Sequence, residues 1–416
     1  MQSQSPNEQI LFRLEEHLKQ EEYCRKTFQR WTEVTRRFLR YLDKRHIAVE
    51  VAEPSHISSY LTSELRLFRQ RYHRGPYPIR LWRNSHAGGI RMLLRLARGQ
   101  WPPATIPSTS LEAFQRQICE EYGSWLRDFR GLAPQSRSDR CAEARRFLVW
   151  LGERWNQQNL LAISGTDVDV YMAARAKSQR RISLKGCGTR LRDFLRYLHN
   201  CGRVTLDLAA AVICPTLYAF ESIPSALRPE HIQAVLEKTR QDRSRTGLRD
   251  YAILMLLSTY GLRAGEVTAL QLDDVDWQKE VLRIRHSKTG VQSELPLLVP
   301  VGDAILDYLR KGRPRTSERR IFIRARAPYR PFQRGASLYT PIQRRLAAAG
   351  VEPAGKRGPH AFRHARAASL LRAAVPVKEI GDILGHRAAA STAAYLKLAT
   401  EDLRGIALEI PVEVKP

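Results

Sequence analysis

The sequence predicts a mainly helical protein with a small antiparallel sheet, which we place in residues 225–416. Apolar residues recur at spacings of three and four through most of residues 8–212, which is the spacing of one helix face. Prolines cluster at 102–107 and again at 215–229, as is typical of joints between domains. One run near residue 281 alternates like a strand. A chain of 416 residues has room for two to four domains.

Residues 1–104 are predicted to form an N-terminal helical module for DNA binding or protein interaction. A first helical stripe consists of Leu11, Leu14 and Leu18. The members of a second stripe follow at the same spacing: Trp31, Val34, Phe38, Tyr41 and Leu42. A third helix begins near His56, and a fourth covers Ile90 to Ala97 and ends at Gly99.

Residues 108–215 are predicted to repeat this four-helix plan. The run from Phe147 to Leu151 resembles Phe38 to Leu42. Two further pairs of runs match in the same way: 168–172 with 57–61, and 194–197 with 93–96. The offsets of about 100–111 residues indicate either a duplicated module or two sets of amphipathic helices that converged on one pattern.

Residues 225–416 are predicted to mix helix and strand. The run 251–257 indicates a buried helix. A hairpin follows, with a strand at 281–285, a turn at 287–290 and a return strand from 294 to 297. After Arg320 the pattern predicts helices through to Leu408.

The charge of the chain points to a polyanionic partner. The net charge is +27, with 19 basic against 10 acidic residues in 1–104, 17 against 12 in 105–224, and 33 against 20 in 225–416. Because the excess extends over the whole chain, it can neutralise many phosphates and release their counterions, and we expect double-stranded DNA as the partner. The alternatives are a cation-rich surface that aids solubility or a membrane-surface binder, but the sequence has no lipid motif or amphipathic anchor.

The cysteines and the N-terminus predict a cytoplasmic protein, and we expect it to be bacterial and associated with the nucleoid. None of the six cysteines forms a C-x-x-C pair or has zinc-ligand spacing, so we interpret them as reduced thiols. The first residues lack the pattern of a signal peptide. No run of 18 apolar residues is present, and we therefore expect no membrane span.

Residues of the right types for phosphoryl transfer follow one another in the last 160 or so residues: Arg263, Lys288, His360, Arg363, His386 and Tyr395. Two arginines, a lysine and two histidines can hold a phosphate or move a proton, and the tyrosine hydroxyl can attack phosphorus. No acidic pair and no phosphate-binding glycine loop accompanies them. The set therefore suits transfer of a nucleic-acid phosphoryl group to Tyr395, with no metal or other cofactor.

The first two positions depend on turns. Arg263 lies between Gly261 and Gly265, and Glu266 can support its guanidinium by a charge-assisted hydrogen bond. Lys288 lies at the tip of the predicted hairpin, from which it could protonate a leaving oxygen. Taken singly, each position is typical of an ordinary surface cation.

The other four positions occupy the helical end of the chain. His360 and Arg363 are three residues apart and share a helix face, where they could hold one phosphate oxygen. The pair His360 and His364 also has zinc spacing, but the glutamate of H-E-x-x-H and a third ligand are missing. His386 follows Gly385, a predicted helix C-cap, and Tyr395 alone is typical of a core tyrosine.

As an ordered set, these residues resemble the catalytic domain of tyrosine recombinases, the phage integrase family. The matching motifs are Arg263 with Glu266, the hairpin Lys288, H-x-x-R at 360–363, L-G-H at 384–386, and Tyr395 nine residues later. The resemblance covers about 225–410, and residues 108–215 resemble the family's helical, SAM-like core-binding domain. We extend the SAM-like description to residues 1–104.

The resemblance implies a site-specific recombinase that forms a 3′-phosphotyrosyl bond through Tyr395 and passes through a Holliday junction. It implies that Lys288 protonates the 5′-oxygen and that His360 helps to activate the tyrosine, while the arginines and histidines stabilise charge on phosphorus. The implied partners are a homotetramer on DNA, with a dimer at each site, and accessory or sister recombinases.

The presence of two helical modules departs from the usual recombinase, which has one. This departure favours a mobile-element integrase or transposase, in which the extra module lengthens the DNA footprint or adds a protein–protein surface. Two other functions stay open: a catalytically silent DNA-binding regulator with a recombinase fold, and a type IB topoisomerase.

Overall fold

The computed structural model describes residues 6–104, 106–156, 163–218, 227–286, 292–333, 335–353, 355 and 357–385. Within these ranges the chain forms fifteen α-helices and one three-stranded antiparallel sheet, which confirms the predicted mainly helical class. The chain divides into two compact units, Ala104–Glu221 on the one hand and Met1–Pro103 with Ser222–Pro416 on the other. The finer division into three domains, at 1–104, 108–215 and 225–416, stays a prediction.

The N-terminal module consists of four helices: α1 (Pro6–Gln20), α2 (Arg25–Asp43), α3 (Pro54–Tyr72) and α4 (Ile79–Arg98). The stripe predicted for α1 was one residue off at its start. Ile10, Leu14 and Leu18 are buried at spacings of four, whereas Leu11 is half-buried at the edge of the core. Gly99 ends α4 in the left-handed conformation, as predicted.

The second helical module, within residues 108–215, also consists of four helices: α5 (Ser110–Asp128), α6 (Pro134–Leu151), α7 (Gly165–Ala176) and α8 (Arg181–Asn200). The Thr109 side chain caps α5 by accepting a hydrogen bond from the Glu112 N–H. Ser164 and Asp167 form a capping box at the start of α7. These local signals fix where the helices begin.

Both modules contain the same cluster of three aromatic rings. The rings come from corresponding positions, Phe38, Tyr41 and Tyr60 in the first module and Phe147, Trp150 and Tyr171 in the second. The phenylalanine and tyrosine centroids are 5.3 Å apart in the first cluster and 5.0 Å apart in the second. The two modules therefore share a packing pattern as well as an order of helices.

The last region combines helices α9 (Pro229–Arg240), α10 (Arg245–Tyr260), α11 (Ala264–Ala269), α12 (Val299–Asp307), α13 (Tyr339–Ala348), α14 (Pro359–Arg372) and α15 (Val377–Leu384) with strands β1 (Val275–Asp276), β2 (Val281–Arg285) and β3 (Gln292–Pro296). The strands pair antiparallel in the order β1-β2-β3, and the β2–β3 ladder runs from Val281↔Pro296 to Arg285↔Gln292. The two predicted strands are confirmed, and the predicted turn at 287–290 lies outside the described residues.

The helical run predicted to begin after Arg320 was wrong at its start. Among the described residues after Arg320, the first helical segment is a short 3-10 turn at Gly335–Leu338, and α13 begins at Tyr339. Pro328 and Pro331 in this stretch have no N–H to donate to a helix ladder. Beyond Gly385 the prediction lies outside the described residues.

Helix α10 forms the centre of the last region. Most of it is buried, and it packs against α9, α12 and α14. The buried helix predicted at 251–257 is thereby confirmed. Because α10 is held on several sides, its C-terminal end at Gly261 has a fixed position, and the candidate site is built around that end.

Candidate active site

Arg263 is held at the start of α11 by contacts to Glu266 and to the end of α15. Its backbone N–H donates to Glu266 Oε2 at 2.7 Å, and its Nη1 donates to Oε1 at 2.8 Å. Its Nη2 donates to the Gly385 carbonyl at 3.0 Å. The structure thus places Glu266 where the sequence predicted a supporting carboxylate.

Glu266 is a buried anion, and only 2% of its surface is exposed. Burial disfavours the charged form, but hydrogen bonds from His286 and from the N–H and guanidinium of Arg263 outweigh it. The net effect is that the pKa of the Glu266 carboxyl lies below its ordinary value. The carboxylate therefore stays ionised at neutral pH and keeps Arg263 in one orientation.

Arg363 is buried on α14, where its guanidinium binds two backbone carbonyls. Nη1 donates to Gly261 O at 2.8 Å, and Nη2 donates to Leu384 O at 2.5 Å. These acceptors lie at the C-terminal ends of α10 and α15, where carbonyls lack helix partners and the helix dipole is negative. The two helix ends therefore hold the arginine through their backbone carbonyls.

His360 lies on the first turn of α14 and is exposed. Its ring is 6.3 Å, centroid to centroid, from that of His364 one turn later. The described residues contain no group of three or more His, Cys, Asp or Glu side chains that could hold a metal ion. His360 and Arg363 lie one turn apart on α14, and the histidine is exposed whereas the arginine is buried.

Two glycines allow these elements to approach one another. Gly261 and Gly385 both have a left-handed backbone, with φ of +65° and +63°, and they cap α10 and α15. A Cβ on Gly261 would lie 2.8 Å from Leu384 Cδ2, and one on Gly385 would lie 2.5 Å from His286 Cε1. The predicted C-cap at Gly385 is confirmed, and the close contact explains why no side chain fits there.

His286 is a residue of this site that the sequence reasoning missed. Its Nδ1 lies 2.8 Å from Glu266 Oε1, and its Nε2 lies 2.8 Å from Ser293 Oγ. A signal was present, because alternation along β2 places residue 286 on the same buried face as Leu282 and Ile284. The partner Glu266, twenty residues away, could not be found from that signal.

Comparison with known proteins gives the family of this chain. Residues 225–402 match the model of the phage integrase family. The integrase/recombinase y4gC of Sinorhizobium fredii is 59% identical over 189 residues, which are 45% of this chain and 97% of y4gC. The integrase/recombinase y4rA of the same organism is 36% identical over 300 residues, 72% of each chain. The chain belongs to the phage integrase family. This family is that of the tyrosine recombinases.

A solved structure of this family's fold extends the likeness beyond the catalytic region. A lambda integrase tetramer bound to a Holliday junction has a TM-score of 0.54 with 16% identity, and the match covers 82% of this chain and 91% of that one. At this level of identity the likeness concerns the fold alone.

The structure describes three of the six groups that the sequence assigned to this integrase-family site. Arg263 and Arg363 converge on Gly261, Leu384 and Gly385, and His360 lies one turn before Arg363. Lys288, His386 and Tyr395 lie outside the described residues. Their catalytic roles are taken up below as part of the proposal.

Two further observations bear on the other expectations. The six cysteines all lie in the described part of the chain and are free thiols. No helix among the described residues is long and apolar enough to cross a membrane.

Proposed function

We propose that this protein is a site-specific DNA recombinase, an integrase or transposase, that cuts and rejoins DNA through a 3′-phosphotyrosyl intermediate and a Holliday junction. The observation that carries the proposal is the convergence of Arg263 and Arg363 on the C-terminal end of α15, where they bind the carbonyls of Gly385 and Leu384. Two guanidinium groups fixed next to one another form a binding site for a phosphate dianion. The biological role would be integration, excision or transposition of a mobile element, in line with the integrase names of its relatives.

In the proposed reaction the Tyr395 oxygen attacks the scissile phosphorus. The P–O5′ bond breaks as the Tyr395–phosphorus bond forms, Lys288 gives a proton to the departing 5′-oxygen, and His360 assists removal of the tyrosine proton. Arg263, Arg363 and His386 stabilise the negative charge on the five-coordinate phosphate. A 5′-hydroxyl of the partner strand then reverses these steps, and no ATP is needed because the phosphotyrosyl bond keeps the energy of the phosphodiester.

The proposed assembly is a homotetramer on two DNA sites, with a dimer at each. The lambda integrase neighbour was solved as a tetramer bound to a Holliday junction, which supports this arrangement. Accessory or sister recombinases would set the direction of the reaction.

The N-terminal module is proposed to contact DNA outside the core site. No acidic residue occurs between Glu64 and Glu112, a stretch that contains nine arginines and no lysine. Its exposed arginines, which we call the arginine set, have no ion pair within the described residues: Arg66, Arg69, Arg71, Arg74, Arg80, Arg91 and Arg95. In contrast, Arg36 and Arg37 on α2 pair with Glu33 and Glu64 at 3.1 Å. Unpaired arginines favour phosphates as the partner over a mixed-charge protein surface.

The test is covalent trapping. The full chain is incubated with a nicked duplex that contains the DNA flanking its own gene, and adducts are separated on a denaturing gel. We expect an adduct with the wild type and none with Tyr395→Phe, which should still bind the DNA. Absence of a Tyr395-dependent adduct would refute the enzymatic proposal. In a parallel assay on a supercoiled plasmid, relaxation without site preference would identify a type IB topoisomerase instead.

A further inference from the structure

His286 is buried between the β2–β3 hairpin and α11. Only 4% of its surface is exposed, and its two ring nitrogens contact different elements. Nδ1 reaches Glu266 on α11, and Nε2 reaches Ser293 on β3, each at 2.8 Å. The imidazole therefore forms a bridge between the strand pair and the helix that begins at Arg263.

The Glu266 carboxylate determines which ring nitrogen carries a proton. An ionised carboxylate accepts hydrogen bonds and cannot donate, so the contact requires an N–H at Nδ1. The same oxygen, Oε1, also accepts from Arg263 Nη1 at 2.8 Å. One buried oxygen atom thus joins the phosphate-binding arginine to His286.

A second contact brings His286 to the other end of the site. The ring lies so close to Gly385 that a Cβ there would be 2.8 Å from both ring nitrogens. Gly385 is also the residue whose carbonyl accepts from Arg263 Nη2. His286 therefore packs against both of the residues that orient Arg263.

We propose that His286 is a positioning residue for DNA cleavage. It fixes the Arg285–Gln292 end of the β2–β3 pair relative to Arg263. It thereby sets the point from which the chain continues to Lys288, two residues after His286. The described β2–β3 ladder ends at Arg285↔Gln292. Beyond it, the bridge from His286 to Ser293 and Glu266 is the described contact nearest in sequence to Lys288. The inference rests on the proposed function, in which Lys288 protonates the leaving 5′-oxygen.

The expected effect is a loss of proton donation with DNA binding retained. When the bridge is removed, the β2–β3 pair can move relative to Arg263, and a misplacement on the order of 1 Å can slow a positioned reaction by about 100-fold. A substrate that needs no proton donor should escape this loss. A 5′-bridging sulfur provides such a substrate, because a thiol, with a pKa of about 8.5, is a far stronger acid than an alcohol and leaves as the thiolate without a proton donor.

The experiment measures single-turnover cleavage by the full chain on two nicked duplexes, one with oxygen and one with sulfur at the scissile 5′ position. We expect His286→Ala to be slowed by about 100-fold on the oxygen substrate and to approach the wild-type rate on the sulfur substrate. Lys288→Ala should show the same pattern. Arg263→Ala should be slow on both substrates, since charge on the phosphate must be stabilised whichever atom leaves.

Conservative and matched variants separate positioning from folding. His286→Asn keeps a side-chain N–H toward Glu266 and should recover part of the rate, whereas Ser293→Ala removes the other half of the bridge and should lose part of it. Glu294→Gln breaks the exposed ion pair to Arg283 on the same hairpin and should leave both rates unchanged. DNA affinity and thermal unfolding of each variant show that it is folded. If His286→Ala does not fold, His286→Asn and Ser293→Ala decide the question.

The outcomes separate this inference from the proposed function. Rescue of Lys288→Ala by sulfur without rescue of the His286 variants overturns the positioning role alone. Equal, slow rates for Lys288→Ala on both substrates overturn Lys288 as the acid, and the role of His286 falls with it.

Discussion

The two helical modules contain the same cluster of three aromatic rings but differ in the residue that accepts a hydrogen bond from the tyrosine of that cluster. In the first module the Tyr60 hydroxyl donates to the backbone carbonyl of Val34 over 3.4 Å. In the second the Tyr171 hydroxyl donates to the Glu143 carboxylate over 2.6 Å. Val34 and Glu143 occupy the same position, four residues before the central phenylalanine of their clusters. An apolar residue in one module is thus replaced by a fully buried acid in the other.

The buried acid of the second module joins three helices. Besides Tyr171, Glu143 accepts from the Cys187 thiol at 3.0 Å and pairs with Arg146 and Arg175 at 3.0 and 3.3 Å. The difference shows that the aromatic cluster can pack next to a valine or next to a buried glutamate, provided that the glutamate carboxylate has a full set of hydrogen-bond and ion-pair partners. The arginines of the two modules differ as well. Arg146 and Arg175 of the second module pair with a buried acid, whereas the arginine set of the first module is exposed and has no ion pair within the described residues.

The largest expected effect on stability comes from removal of the buried Glu143 carboxylate. Glu143→Ala would leave the arginines and the Tyr171 hydroxyl without their buried partner and should cost about 3–5 kcal/mol. Hydrogen exchange of the full chain measures this as faster exchange in α6 and α8, with α2 and α4 as internal references. Glu120→Ala, which breaks an exposed pair with Arg116, is the matched control and should leave exchange unchanged. Unchanged protection in Glu143→Ala would mean that the cluster is not stabilising.

The two tyrosines allow a direct comparison of the modules. Tyr171→Phe removes a short hydrogen bond to a charged group and should cost about 1.5–3 kcal/mol, whereas Tyr60→Phe removes a long bond to a neutral carbonyl and should cost about 1 kcal/mol or less. Module-resolved hydrogen exchange on both variants gives the two values. Equal costs would contradict the assigned difference between the modules.

Low pH should destabilise the second module more than the first. Burial opposes ionisation of Glu143, but hydrogen bonds from Tyr171 and Cys187 and the nearby arginines hold its pKa below the ordinary 4.5. Because the folded-state pKa is the lower one, the contribution is complete above about pH 4.5 and is lost as the pH falls through the folded value. Unfolding of the full chain, measured at a series of pH values from neutral downward, should show a shallower loss of stability in acid for Glu143→Gln than for the wild type. Parallel curves would refute the assignment.

The smallest effect on stability should come from the arginine set, whose role is binding. Arg91→Gln with Arg95→Gln removes two exposed cations from one face of α4 and should lower the slope of log affinity against log salt by about 0.9 for each phosphate that is no longer neutralised. Arg36→Gln with Arg37→Gln changes the net charge equally but breaks ion pairs within the module. Binding to a duplex longer than the core site measures both. A similar decrease in the two variants would point to overall charge and away from a specific surface.

Much of the local structure could be predicted from the sequence, since it depends on neighbours along the chain. Gly99 and Gly385 were recognised as helix ends, and the alternation at 281–285 as a strand. Arg263 and Glu266 were paired because residues three apart meet at a helix start. The errors also had local causes: the stripe of α1 could start at Ile10 or Leu11, and the prolines after Arg320 delayed the next helix to Tyr339.

The sequence by itself determined which chemical groups are available, their order, the helix and strand periods, and the family to which the motifs belong. Only the tertiary structure decided how Arg363 is satisfied, on carbonyls at two helix ends, and that His286 joins Glu266 to Ser293. The physical reason is that spacing along the chain encodes which residues share a face, whereas contacts between distant segments depend on how those faces pack. For the same reason, the valine and the glutamate at matching positions of the two modules are visible in the sequence, whereas the burial of Glu143 and its hydrogen bond from Tyr171 are not.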